Sequence, residues 1–206
     1  MQTAYIGMGA NIPGPAGLPE ATLAAAVDRL YSIGRVVCRS SLYSTEPVGF
    51  ADQPRFVNAA VALETDFSPA ALLAALLRIE REFGRDRSAG IQNGPRTLDL
   101  DILLLGDLVL HESNLDIPHP RIAERAFVLV PLQEIASNIM VVSLQCTVTQ
   151  LLQRLRNGFP SENDAVTPLS SDLWRAGPCG DDGAPTPRPA PTEPGLGDPR
   201  LSDPDR

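Results

Sequence analysis

Lysine is absent from the chain: all 17 basic residues among its 206 are arginine. No lysine can therefore sit under a triphosphate, form a Schiff base with pyridoxal phosphate or act as a general base. Any phosphate must be held by arginine, backbone amides or a metal ion. Histidine and cysteine are nearly as scarce, limited to His111 and His119 and to Cys38, Cys146 and Cys179. A zinc site of the His-rich or Cys-rich kind is thus disfavoured. A bound metal is expected to be hard and held by carboxylates, with Mg²⁺ the first candidate. The cysteines form no C-x-x-C pair, and their odd number reads as free thiols. No apolar run reaches the roughly 20 residues that span a bilayer, and the start MQTAYIGMGA lacks the features of a signal peptide. A soluble, cytoplasmic protein is expected, with no membrane partner.

The net charge of −8 argues against a nucleic-acid partner, because neutralising phosphates needs a basic face. The charge is uneven: residues 160–206 carry nine acidic residues against four Arg, a net of −5, which leaves −3 for residues 1–159. The same segment holds ten Pro and five Gly, too little apolar surface to offset chain entropy. The composition therefore predicts a folded domain over 1–159 and a Pro/Gly-rich, acidic, disordered tail over 160–206, whose deletion leaves activity intact.

Within 1–159 strand and helix periodicities alternate. Thr3 to Met8 reads as a strand leading into the loop GANIPGPAG, and Leu23, Ala26, Val27 and Leu30 form a helical stripe. Val36 to Ser44 and Phe56 to Glu64 read as strands joined by the long loop Thr45 to Arg55, whose prolines prevent regular pairing. Ser68 followed by Pro69 is a helix start, Leu72, Leu76, Ile79 and Phe83 are the buried stripe, and Gly84 is the stop. After the loop RDRSAGIQNGPR, Thr97 to Leu105 reads as a strand turning at Gly106-Asp107 into a short partner, Leu108 to Leu110. An apolar stretch from Ala126 to Ile135 and a helix from Thr147 to Arg156 complete the domain. This mixed order predicts an α+β sandwich rather than a doubly wound parallel sheet.

The segment GPRTLDLDILLLG, residues 94–106, carries the most chemistry. Alternation places Asp99 and Asp101 on one face of a strand, about 7 Å apart along the backbone, with Leu98, Leu100, Ile102 and Leu104 on the other. The pair is either the wet face of a half-buried strand or a platform for a divalent cation. Leu103 and Leu105 suggest a covered sheet and favour the platform, since an uncompensated buried carboxylate pair is costly. Arg85, Arg87 and Arg96 precede the pair, and Arg121 and Arg125 follow the P-H-P segment around His119; guanidinium forks match phosphate oxygens. Phe56 and Asn58 share a strand face, and Phe127 opens a later apolar segment. Two rings and an amide that both donates and accepts suit a flat heterocycle. Read alone, these residues also admit an ordinary kinase making ADP, or a non-catalytic binding module.

Four blocks, AYIGMGAN, SSLYSTEPVGFADQPRFVNAAVALET, GPRTLDLDILLLG and IPHPRIAERAFVLVPLQEIA, occur in the order in which they stand in the 6-hydroxymethyl-7,8-dihydropterin pyrophosphokinases of folate biosynthesis. The chain resembles that family over residues 1 to about 158. The resemblance implies a ferredoxin-like α/β sandwich with a mostly antiparallel sheet flanked by helices. It further implies an ATP-dependent diphosphotransferase that moves diphosphate from ATP to the pterin hydroxymethyl group and releases AMP. By matching position it assigns Asp99 and Asp101 to two Mg²⁺ ions that accompany ATP, and Thr45, Val48, Phe56, Asn58 and Phe127 to the pterin. Glu80, Arg85, Arg87, Arg96, Ile102, His119 and Arg125 are assigned to the nucleotide, with Arg85 and Arg96 assisting the chemistry. The expected partners are ATP and 6-hydroxymethyl-7,8-dihydropterin alone, and the expected state is a monomer. Gln92-Asn93 stands where many relatives carry Arg-Trp, and the loop is one residue longer through Ala89-Gly90.

Overall fold

In this computed structural model the structure describes residues 1–86, 93–158 and 166–177. Six antiparallel strands form the main sheet: β1 (Gln2–Ala10), β2 (Arg35–Arg39), β3 (Leu42–Thr45), β4 (Phe56–Thr65), β5 (Asp99–Leu105) and β10 (Val166–Leu169). Their order is β10-β3-β4-β1-β5, with β2 also paired to β4. α1 (Pro19–Leu30) follows β1 and α2 (Pro69–Glu82) joins β4 to β5. Each of these helix connections spans a split pair of strands, the arrangement of a ferredoxin-like sandwich. α3 (Ala126–Ala136) and α4 (Val148–Gly158) come later in the chain. Two short ribbons, β6 (Leu110–Glu112) with β7 (Leu115–Ile117) and β8 (Met140–Val141) with β9 (Cys146–Thr147), lie outside the sheet.

The pleat divides the side chains into two cores. Ala4, Ile6, Met8, Val57, Val61 and Leu63 pack with the apolar stripes of α1 and α2. Ala60, Ala62 and the apolar residues of α3 and α4 form the second cluster on the opposite face. Ser68 caps α2 as its spacing predicts, its side chain accepting from the Ala71 N–H at 3.3 Å. Beyond the end of α2, Gly84 takes φ +82, a conformation that suits a residue without Cβ.

Strict alternation fails at one point in β5. The register with β1 shifts between Tyr5 and Ile6, which pair with Leu104 and Ile102 and leave Leu103 as the extra residue. Leu98, Leu100, Ile102 and Leu105 therefore join the first cluster, while Leu103 and Leu104 join the second. A bulge reverses the facing of every residue beyond it. The strand partner expected at Leu108 to Leu110 is likewise corrected: Gly106 makes the turn at φ +50, but Leu110 pairs with Ile117 of β7 instead of with β5. Val36 to Ser44 divides into β2 and β3, both paired to β4.

Part of the segment from 160 onward has structure, contrary to the composition. β10 pairs residue by residue with β3, from Val166 opposite Thr45 to Leu169 opposite Leu42. Trp174 is only 7% exposed; its indole N–H donates to the Ser40 carbonyl at 2.7 Å, and the Arg39 guanidinium lies 5.6 Å from its ring centroid. One aromatic anchor and four edge-strand residues weigh little in a composition dominated by Pro and Gly. Cys38 is disulfide-bonded, and Cys146 is buried and free, so the free-thiol expectation fails at Cys38. No helix among the described residues is long and apolar enough to cross a membrane.

Removing residues 160–206 is accordingly expected to lower the melting temperature, and Trp174→Ala alone to cost about 3 kcal/mol in denaturant unfolding. A melting curve unchanged by both would show that the Trp174 contact adds nothing to the core.

Candidate active site

The cavity forms on the second face of the sheet, at the ends of β1, β3, β4 and β5 beside the start of α3, and measures about 180 Å³. Its floor is β1. Gly9 stands between Asn58 of β4 and Asp99 of β5, and Gly7 between Ala60 and Asp101. A Cβ at Gly9 would meet Asn58 Oδ1 at 3.0 Å, and one at Gly7 would meet the Leu103 side chain at 3.2 Å. The two glycines thus leave a side-chain-free strip between an amide on one side and two carboxylates on the other. Sequence reading assigned neither; the period-two spacing G-M-G within a strand was the available signal.

On the amide side, Asn58 is 6% exposed and Thr45 3%. The Asn58 amide N–H donates to Thr45 Oγ1 at 2.8 Å, which orients the amide. Val48, Phe56 and Phe127 line the cavity as well, so all five residues assigned to a heterocycle converge. The guanidinium of Arg96 lies 5.4 Å from the Phe56 centroid, and that of Arg125 lies 5.5 Å from the Phe127 centroid. Cations over the ring faces gain attraction from the aromatic quadrupole.

On the carboxylate side, arginine compensates the Asp99 charge. Arg96 Nη1 donates to its Oδ2 at 2.7 Å, and Arg85 Nη2 lies 3.6 Å from its Oδ1. Arg96 is itself fixed through its backbone. Its N–H donates to Asn11 Oδ1 at 2.7 Å, and its carbonyl accepts from the Asn11 N–H at 3.0 Å. The Asn11 side-chain amide donates to Gln53 Oε1 at 3.0 Å, and Gln53 donates to the Asn93 carbonyl at 2.8 Å. Asn11, 3% exposed, therefore ties the first loop, the Thr45 to Arg55 loop and the residues before β5 together. This hub lay inside two quoted motifs, but its partners are far apart in sequence.

The remaining assigned residues sit at the edge or behind the wall. Arg125 lines the cavity. Burial, then the Arg121 charge, lowers its pKa, against the opposite pull of Asp101 and Asp99. Arg121 also lines the cavity, although no role was assigned to it. Glu80 is 1% exposed and accepts from the Leu100 N–H at 2.9 Å, and Ile102 belongs to the first core cluster, so neither lines the cavity. Arg87 lies outside the described residues. Among the described residues no group of three or more His, Cys, Asp and Glu side chains forms a metal cluster. Asp99 and Asp101 both line the cavity.

His119 is held as a neutral ring. Its Nδ1 accepts from the Arg121 N–H at 3.1 Å, which leaves the proton on Nε2. Burial, then the Arg125 and Arg121 charges, lowers its pKa to about 4, opposed by Asp99 and Asp116. An unfolded histidine titrates near ~6.5. Between these values the unfolded chain binds more protons, so stability rises with pH and is lost on acidification. His119→Gln is expected to lose a few degrees less of melting temperature than the wild type between about pH 7 and pH 4.5. Equal losses in the two proteins would contradict the half-buried neutral ring.

Comparison with known proteins gives the chain its relatives. The chain is 44% identical over 154 residues to the 2-amino-4-hydroxy-6-hydroxymethyldihydropteridine pyrophosphokinase of Haemophilus influenzae, covering 75% of this chain and 93% of the relative. The Pseudomonas aeruginosa protein of the same name is 45% identical over 139 residues, covering 68% and 83%. The wild-type Plasmodium falciparum HPPK-DHPS crystal structure superposes with a TM-score of 0.61 at 15% identity, covering 82% of this chain. This chain spans about half the length of that one, 50%, and the likeness carries the fold alone. Residues 5–137 match the family described as 7,8-dihydro-6-hydroxymethylpterin-pyrophosphokinase (HPPK), and with the bacterial relatives this match establishes that the chain belongs to the HPPK family.

Proposed function

We infer that the protein transfers the β,γ-diphosphoryl group of ATP to the hydroxymethyl oxygen of 6-hydroxymethyl-7,8-dihydropterin, releasing AMP, in folate biosynthesis. The observation that carries the reading is the two-sided cavity. A slot for a flat heterocycle and a charged polyphosphate site share one sheet face, separated only by Gly7 and Gly9. In the reaction the pterin oxygen forms a bond to Pβ while the bond from Pβ to the α,β-bridging oxygen breaks, and AMP leaves with that oxygen. The hydroxyl proton passes to solvent or to the departing phosphate.

Such transfers ask the protein for positioning and charge neutralisation more than for covalent work. In this reading Phe56 and Phe127 take the two faces of the pterin. One N–H of the Asn58 amide is engaged by Thr45, which leaves the carbonyl oxygen as an acceptor and the second N–H as a donor for the pterin edge. Arg85 and Arg96, gathered at Asp99, supply the cations nearest the phosphoryl being transferred. Arg125 adds charge at the α3 end, and neutral His119 offers an Nε2 proton as a hydrogen-bond donor. Asp99 and Asp101 would hold two Mg²⁺ ions with ATP, since hard carboxylate oxygens suit that cation, and the ions would supply Lewis-acid neutralisation of the triphosphate. The Gln53 contact to Asn93 holds the Thr45 to Arg55 loop against the residues before β5.

With purified protein, Mg²⁺, ATP and the pterin, AMP is expected to form in step with pterin consumption, as read by chromatography. ADP in its place would identify an ordinary kinase. Asp99→Asn and Asp101→Asn are each expected to lower turnover at least about 100-fold while the melting temperature moves by only a few degrees, and activity retained within a few-fold in both would sink the metal assignment.

A further inference from the structure

The two walls of the heterocycle slot stand on different elements. Thr45 on β3 and Asn58 on β4 form one, and Phe127 in the first turn of α3 forms the other. Glu134 lies seven residues beyond Phe127, two turns along the same helix face, and takes no part in the site described above. Its Oε2 accepts from the Ser41 N–H at 2.8 Å and from the Tyr43 hydroxyl at 3.0 Å, and its Oε1 accepts from the Ser41 hydroxyl at 2.9 Å. One carboxylate on α3 thus engages three donors at the start of β3. Ser41, Tyr43 and Thr45 alternate along that segment onto one face, and Tyr43 pairs directly with Asn58 in the neighbouring strand.

We propose that Glu134 is a positioning residue for the pterin slot: by tying β3 to α3 it sets the distance between the Thr45–Asn58 wall and the Phe127 wall without touching substrate. This rests on the assignment of the slot to the pterin.

The chemistry suits the task. A carboxylate has lone pairs enough for three donors, and charge-assisted bonds of this kind are the stronger class. Burial and the Glu134 contact raise the Tyr43 pKa to about 12, so the hydroxyl stays a donor across the working range. The tie acts chiefly on β3. α3 is anchored independently through Leu129, Leu132, Ile135 and Ala136 in the second core, whereas β3 is a four-residue strand held within the sheet by β4 at three residues and by β10 at four. These pairings fix β3 in the plane of the sheet, and loss of the carboxylate removes the side-chain tie that sets it against α3. The nucleotide side stays fixed, because Arg96 is held by Asn11 and Asp99 by Arg96.

The test measures KM for each substrate and kcat by AMP formation, together with pterin Kd by fluorescence titration in the presence of a non-hydrolysable ATP analogue. Glu134→Ala is expected to raise pterin KM and Kd about tenfold, leaving the ATP KM within about twofold and kcat within about threefold. Glu134→Gln is expected to stay within about threefold of wild type, since its amide oxygen can take the Ser41 N–H and Tyr43 hydroxyl while the Ser41 hydroxyl rotates to accept. Tyr43→Phe, which removes one of the three donors, is expected to raise pterin Kd about threefold and serves if Glu134→Ala fails to fold. Pterin Kd within twofold of wild type in a folded Glu134→Ala protein overturns the proposal. So does an ATP KM that rises as far as the pterin KM, or an unchanged Kd in Tyr43→Phe when that variant stands in. Wild-type protein that binds pterin but forms no AMP overturns the assigned reaction instead, and the Kd comparison still decides the role of Glu134. Wild-type protein that binds no pterin overturns the slot assignment, and the proposal with it.

Discussion

The cavity depends on one face of an antiparallel sheet carrying an aromatic and amide slot beside a carboxylate and guanidinium cluster. Neighbouring strands lie only about 5 Å apart, and β1 occupies the position between the strand bearing Asn58 and the strand bearing Asp99. A side chain at position 7 or 9 of β1 would divide the cavity. Gly7 and Gly9 remove it, and the even period of the strand leaves Ile6, Met8 and Ala10 on the opposite face to pack the first core. The stability of β1 and the openness of the site come from the same nine residues because the pleat separates the two tasks.

Around that strip the electrostatics are held by arginine alone. A chain without lysine has no compact ammonium to place under a phosphate. Here Arg96 is gripped through its backbone by Asn11, stands against the Phe56 ring and bonds Asp99 through its guanidinium. A residue fixed at three points loses little freedom on binding a ligand. Arg96 also connects the aromatic slot to the carboxylate pair, so the two halves of the cavity share a part as well as a floor.

The edge of the sheet shows the same economy. β3 is short, yet it carries Thr45, and three devices secure it: pairing to β4, pairing to β10 and the Glu134 carboxylate on α3. β10 and Trp174 extend the structured region beyond the boundary that composition suggests. An exposed edge next to a substrate loop is a liability, and covering it with a short strand is a common remedy.

Much of the molecule was legible from local rules. The Ser68-Pro69 start and Gly84 stop of α2, the α+β class and the shared facing of Asp99 and Asp101 all follow from interactions within a few residues, which sequence spacing records directly. The four quoted blocks carried the family. Beyond that reach, distance along the chain hides the partner. The Leu103 bulge is a matter of register against β1, and the Leu110 pairing depends on β7. Asn11 reaches Arg96 across 85 positions, and Trp174 reaches Ser40 across 134. The burial of Glu80 away from the cavity was equally beyond reading, because it depends on α2 packing over β5, whereas alternation had already set Ile102 on the face opposite Asp99 and Asp101, where the first core holds it. The sequence by itself determined the inventory of chemistry, arginine for cations, two aspartates on one strand face and rings with an amide, because composition and period are properties of the chain. Only the tertiary structure decided that these groups meet over two glycines, because convergence of distant strands is set by packing and register, which no local spacing encodes.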